Sequence, residues 1–166
     1  MARPSIQHLT IRDALPQEAD ALVALLVRSK AVWGYDAAFL AETQRQAAHA
    51  ITPEHIEHYP VFVAEADGAL AGFYCLCRWA DDPDGIEIDW LFVEPSFIGR
   101  GVGRALGEHA IATARALGAS RLWVVSDQNA EGFYQALGMT RCGEQESSVM
   151  PGRMNPVLRL GLLPQT

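Results

Sequence analysis

Residues 86–93 read Ile-Glu-Ile-Asp-Trp-Leu-Phe-Val. As a β-strand this run places Glu87, Asp89, Leu91 and Val93 on one face and Ile88, Trp90 and Phe92 on the other. Two carboxylates on one strand face, beside an apolar set, are unusual in a buried strand. If that face borders a cleft, either carboxylate is placed to take a proton, directly or through water. A solvent-facing pair on a half-exposed strand is the alternative reading. Asp89 stands nearer the glycine loop that follows, Gly99-Arg100-Gly101-Val102-Gly103-Arg104, which opens a helix. Glycines let backbone N–H groups approach a ligand closely, and a helix N-terminus adds partial positive charge. Strand, loop and helix in that order build an anion cradle.

The surrounding elements follow from periodicity and turn residues. A short strand is expected over 9–12. Pro16 and Glu18 mark a helix start, and the apolar spacing predicts one amphipathic helix over 16–33. Gly34-Tyr35 interrupts it, and a second helix is expected over 37–50. Thr52-Pro53 suggests a short helical turn. Strands over 61–65 and 70–79 flank Asp67-Gly68, a hairpin signal. The carboxylate strand covers 86–93. The helix after the glycine loop runs to a C-cap at Gly118. A strand follows over 121–126. Asn129 is a candidate N-cap for a helix over 130–137. Two further strands are expected near 141–149 and 157–162. The unit 86–126 should be a parallel crossover and the rest antiparallel. The fold class is therefore α/β, a mixed, mostly antiparallel sheet of six to seven strands with helices on both faces. At 166 residues a single domain spanning 1–166 is expected.

Composition excludes several classes. Hydrophobic residues make up 49% and charged residues 20%, as in ordinary globular proteins. The net charge of −7 argues against non-specific nucleic-acid binding. No apolar run approaches a membrane span, and the first residues lack a signal pattern, so a cytoplasmic location is the default expectation. Cys75 and Cys77 share a strand face and read as reduced thiols. No His or Cys spacing points to a metal.

The loop fails two phosphate fingerprints. It lacks the Lys-[Ser/Thr] of a P-loop, and neither count of its glycines gives Gly-x-Gly-x-x-Gly. Leu91-Phe92-Val93-x-Pro followed by Gly-Arg-Gly-Val-Gly-Arg-Ala-Leu instead resembles the central motif of the GNAT family, the GCN5-related N-acetyltransferases. Residues 127–139, with Asn129, Phe133-Tyr134 and Gly138-Met139, resemble that family's second motif. Ile98 stands where the family usually has Gln or Arg, and Met139 where it usually has Phe.

The resemblance implies an acyl-CoA N-acyltransferase-like fold and acetyl-CoA as co-substrate, moving an acetyl group to a primary amine. An alkylammonium must lose a proton to become a nucleophile, and Asp89, nearer the loop, is the expected base, with Glu87 the alternative. The resemblance implies that backbone groups of Leu91, Phe92 and Val93 polarise the thioester carbonyl. It implies that Gly99, Gly101, Val102 and Gly103 cradle the cofactor, that Arg100 and Arg104 flank its pyrophosphate, and that Asn129 and Phe133 line its arm. Tyr134 is the implied acid for the leaving thiolate. Trp33 and Tyr35 around Gly34 are acceptor-side candidates, with Arg153 from a late loop. A small-molecule or peptide amine is the expected partner, with no nucleic acid or membrane, and a homodimer through the last strands is plausible by family analogy. A non-catalytic acyl-CoA sensor, a transferase of another acyl group and a nucleotide-binding interaction domain are the alternatives.

Overall fold

Asp67 and Gly68 both take left-handed backbone angles, φ 51° and 82°. Two such residues make the tight turn that matches strand twist, and they join β2 (Val61–Ala66) to β3 (Ala69–Arg78). The computed structural model describes residues 4–162. β1 (Leu9–Asp13) pairs antiparallel with β2, and β4 (Gly85–Val93) pairs antiparallel with β3. Helix α4 (Val102–Ala116) then crosses over, so β5 (Arg121–Val125) lies parallel to β4. β7 (Met154–Gly161) sits between β5 and the edge strand β6 (Thr140–Glu146), completing the order β1-β2-β3-β4-β5-β7-β6. This is the mixed seven-stranded sheet expected.

Each face carries its own apolar layer. On one side α1 (Ala19–Ala31), α2 (Ala37–Ala50) and α3 (Pro53–His58) cover Val63, Phe73 and Cys75. On the other, α4 packs Val102, Leu106 and Ala110 onto Tyr74, Leu76 and Ile88, and α5 (Glu131–Ala136) adds Tyr134. Leu22, Leu25, Leu106 and Leu122 are fully buried, each worth about 2 kcal/mol relative to exposure.

Three expected boundaries move. The helix expected over 16–33 divides into a 3-10 turn, Pro16–Glu18, and α1. Glu18 accepts from the Leu15 N–H at 2.8 Å and the Arg12 guanidinium at 2.7 Å, which fixes that turn. The residue capping the 127–136 region is Asp127, not Asn129. Its carboxylate accepts the Asn129 N–H at 2.9 Å, a 3-10 turn forms at Gln128–Ala130, and α5 starts only at Glu131. The strand expected to reach 149 stops at Glu146, because Ser147 Oγ accepts the N–H groups of Val149 and Met150 and turns the chain.

The face pattern of the carboxylate strand also changes. Cys75 lies opposite Trp90, yet the next residue, Leu76, lies opposite Ile88. Asp89 is therefore the extra residue of a β-bulge, and a bulge reverses the alternation beyond it. Glu87 shares its face with Trp90 and Phe92, toward α1, whereas Ile88, Leu91 and Val93 face α4. The expected grouping of Leu91 and Val93 with Glu87 does not hold.

β4 and β5 pair only at Gly85–Arg121, Ile86–Leu122 and Glu87–Trp123. Asp82 pins that closed end, accepting from Arg121 at 2.5 and 2.6 Å and from the Trp123 indole N–H at 3.0 Å. Beyond Glu87 the two strands part. Among the described residues no helix is long and apolar enough to cross a membrane.

Candidate active site

The parted strands open a cleft of about 900 Å³. Its walls come from Ile88–Val93 and Val124–Asp127, from α1 and α2 on one side, and from the glycine loop and α5 on the other. The edge of β4 that faces β5 has no strand partner past Glu87, so the backbone groups along Leu91–Val93 that point to that edge, alternate residues of the strand, stay available to a ligand.

The glycine loop forms the anion cradle from backbone alone. Gly99 and Gly101 adopt φ 77° and 87°, angles that cost an L-residue roughly 1–2 kcal/mol. The first helical bond of α4 is Ala105 N–H to Gly101 O at 3.1 Å. The amides of Gly101, Val102, Gly103 and Arg104 thus have no acceptor inside the helix, and Gly101, Gly103 and Arg104 line the cleft. A Cβ on Gly103 would stand 3.3 Å from the Phe133 ring, so glycine lets Phe133 close the cradle's side. Val102 is fully buried and contributes only its backbone.

Arg100 is not where the sequence placed it. Its guanidinium donates to Pro4 O at 2.8 Å and lies over the Phe97 ring, away from the cleft. The left-handed residues on either side turn its side chain outward. Arg104 lines the cleft's rim and pairs with Glu108 at 2.8 Å, an exposed contact worth little energy. Ile98 lines the same rim.

Glu87 and Asp89 both reach the cleft, as their shared strand face suggested, although the bulge at Asp89 turns Leu91 and Val93 away from Glu87. A Glu87 carboxylate oxygen, Cys77 Sγ and an Asp89 carboxylate oxygen lie within 4.8 Å of one another. Burial first, and the Asp89 charge second, push the Glu87 carboxyl up to about 7. Burial among cleft walls also raises Asp89, although its carboxylate meets solvent inside the opening. Tyr134 is buried except toward the cleft, and its hydroxyl has no hydrogen-bond partner among the described residues. Burial, with Asp127 as a smaller contribution, pushes its phenol pKa up and keeps it protonated.

A polar network closes the acceptor side; sequence reading picked out Tyr35, Asn129 and Arg153 singly and missed Asp127 and Lys30, which join them. Asp127 receives the Lys30 ammonium at 2.9 Å, the Tyr35 hydroxyl at 2.6 Å, and the Asn129 N–H and side-chain amide, each at 2.9 Å. Arg153 donates to the Tyr35 hydroxyl at 2.6 Å. Burial pushes the Asp127 carboxyl up, but Lys30, Tyr35 and the Asn129 N–H together outweigh it and hold it at about 2. Tyr35 stacks on Phe39 and stands behind Lys30, so the cations over its ring are the chain's own Lys30 and Arg153. Trp33 lies half-exposed at the mouth. Thr43 Oγ1 and Asn155 Oδ1 are buried without partners and belong to cleft-lining residues.

The arrangement combines an amide cradle, a carboxylate tuned near neutrality and a protonated phenol. The sequence profile described as the acetyltransferase (GNAT) family matches residues 22–139. The chain belongs to the GNAT acetyltransferase family. It is therefore an acetyl-CoA-dependent N-acetyltransferase. It is 32% identical over 158 residues to the peptidyl-lysine N-acetyltransferase YjaB of Escherichia coli, covering 92% of this chain and 95% of that protein. It is 37% identical over 106 residues to an uncharacterized N-acetyltransferase of Methanocaldococcus jannaschii, covering 60% of this chain but only 45% of the archaeal protein. The crystal structure of the PaiA N-acetyltransferase of Thermoplasma acidophilum, in complex with coenzyme A, superposes with a TM-score of 0.73 at 18% identity. That superposition covers 93% of this chain and 99% of that one, and supports the fold. The amide cradle built by this GNAT loop fits the phosphates of coenzyme A by charge and by backbone access.

Proposed function

We propose that this GNAT protein acetylates the ε-amine of lysine in a peptide or protein, with Glu87 as the base and Tyr134 as the acid. The observation that carries the reading is Glu87: a cleft carboxyl at about 7 takes a proton from an alkylammonium far more readily than an ordinary glutamate at 4.5. The preference for lysine over other amines draws on the similarity to YjaB along nearly the whole chain.

Acetyl-CoA supplies an activated thioester. The amides of Gly101, Gly103 and Arg104 would hold its phosphates. Backbone N–H groups on the open edge of β4 at Leu91–Val93 would take up the negative charge that develops on the carbonyl oxygen. The acceptor enters between α1, α2 and the β6–β7 loop. There Glu87, helped by the Asp89 charge, receives the amine proton through contact or one water. Tyr134 then protonates the leaving sulfur. Thr43 Oγ1 and Asn155 Oδ1, without partners among the described residues, offer the acceptor hydrogen-bonding atoms in the cleft wall.

A panel of lysine peptides, free amino acids and polyamines with acetyl-CoA, read by thiol release, tests the reading. Lysine peptides should turn over fastest. Coenzyme A binding without thiol release from any amine would overturn it in favour of a non-catalytic module.

A further inference from the structure

Lys30 is the only lysine in the 166 residues; the other twelve basic residues of the Lys+Arg total are arginines. A guanidinium stays protonated and is no acceptor for an acetyl group, whereas a lysine amine is one once deprotonated. The single side-chain amine lies in the cleft itself.

Its position bridges the parted strands. Nζ is 2.9 Å from Asp127, just past β5, and 5.8 Å from the centre of the Phe92 ring on β4. The rings of Tyr35 and Phe39 stand 5.7 and 5.8 Å away. Its side chain is 18% exposed, and that exposure opens on the cleft shared with Glu87, Asp89 and Tyr134.

An ion pair would normally protect such an amine, because neutralising one partner strands the other. Asp127 is not stranded. It keeps the Tyr35 hydroxyl, the Asn129 donors and the Arg153 guanidinium, which is 3.7 Å away. An acetylated Lys30 retains one N–H for Asp127, and its acetyl group has three aromatic rings to lie against.

We propose that Lys30 is a self-acetylation site. The chain transfers acetyl from acetyl-CoA to its own Nζ, and the product fills the acceptor half of the cleft. The Nζ–carbonyl bond forms as the carbon–sulfur bond breaks. Of the two protons lost by the ammonium, one ends on the leaving sulfur as the coenzyme A thiol, and one passes to solvent through Glu87 or water. This step rests on the amine-acetylation reading above.

The test incubates the full chain with acetyl-CoA and no acceptor, then reads intact mass and the Lys30 peptide by mass spectrometry. The expected result is one acetyl group per chain, at Lys30, with a rate per chain independent of protein concentration. Glu87→Gln and Tyr134→Phe should each slow labelling at least tenfold. Equal labelling in those variants or in denatured chain marks plain chemical acetylation and overturns the proposal; a rate that rises with protein concentration overturns transfer within one chain. Unmodified Lys30 in a preparation that acetylates lysine peptides overturns self-acetylation alone. No acetylation of either Lys30 or peptide overturns both readings. Preincubation with acetyl-CoA should cut peptide turnover at least fivefold in the native chain and leave Lys30→Arg at its own starting rate; equal losses in both overturn the plug.

Discussion

Cys77 Sγ donates to Glu87 Oε2 at 3.6 Å across the β3–β4 ladder. The contact favours the charged carboxylate and opposes the two influences, burial and Asp89, that raise its pKa. Removing the thiol should therefore push Glu87 higher. In Cys77→Ala, the rising limb of kcat/KM against pH should move to more alkaline values. An unmoved limb would detach Glu87 from that limb.

Glu87→Gln should lower kcat/KM by about a hundredfold, the size of a lost general base, and abolish the limb near 7. Asp89→Asn should keep a limb and shift it to lower pH, because the like charge that raises Glu87 is gone. Steady-state profiles of both variants check which carboxylate is the base.

The same carboxyl affects stability. Its folded pKa, about 7, lies above its usual 4.5. Folding is therefore favoured by protonation below 4.5, and that contribution is lost as pH rises through 7. Glu87→Gln should unfold at a higher temperature than the native chain at pH 8, with little difference at pH 4. The gain is on the order of 2 kcal/mol, discounted for solvent in the cleft. Thermal melts at the two pH values measure it.

Tyr134→Phe removes one oxygen from a buried ring without disturbing the apolar layer. Turnover should fall roughly a hundredfold, while the Kd for coenzyme A, by titration calorimetry, should change less than about threefold.

Two neighbouring substitutions separate backbone from side chain in the loop. Gly101→Ala must hold φ 87°, a strain of about 1–2 kcal/mol that should weaken coenzyme A binding about tenfold. Arg100→Ala removes a side chain turned toward Pro4 O. It should leave the Kd within about twofold.

Much of the fold was legible where a residue's own chemistry dictates its backbone. Asp67-Gly68 and Gly118 take the positive φ their types favour, and the hairpin and the end of α4 fall there. The bulge at Asp89 was not legible, because it arises from how β4 meets β3. The glycine loop announced the cofactor side of the site, the carboxylates the group that takes the amine's proton, and Tyr35 and Arg153 two points on the acceptor side. The hub that joins those two points did not announce itself. Asp127 draws its partners from Lys30, Tyr35 and Arg153, which lie far away along the chain. Nothing local to Asp127 marks it as more than a cap.

The short ladder between β4 and β5 has a mechanical consequence. The sheet is two panels, β1–β4 and β5–β7–β6, hinged on three residue pairs and the Asp82 clasp at one end. At the other end the panels are joined by side chains, Lys30 and Tyr35 reaching Asp127, and on the proposed reading acetyl donor and acceptor lodge between them. Occupancy thus acts as a strut. Amide exchange in β5 should slow more on loading with coenzyme A than exchange in β2, which never borders the gap.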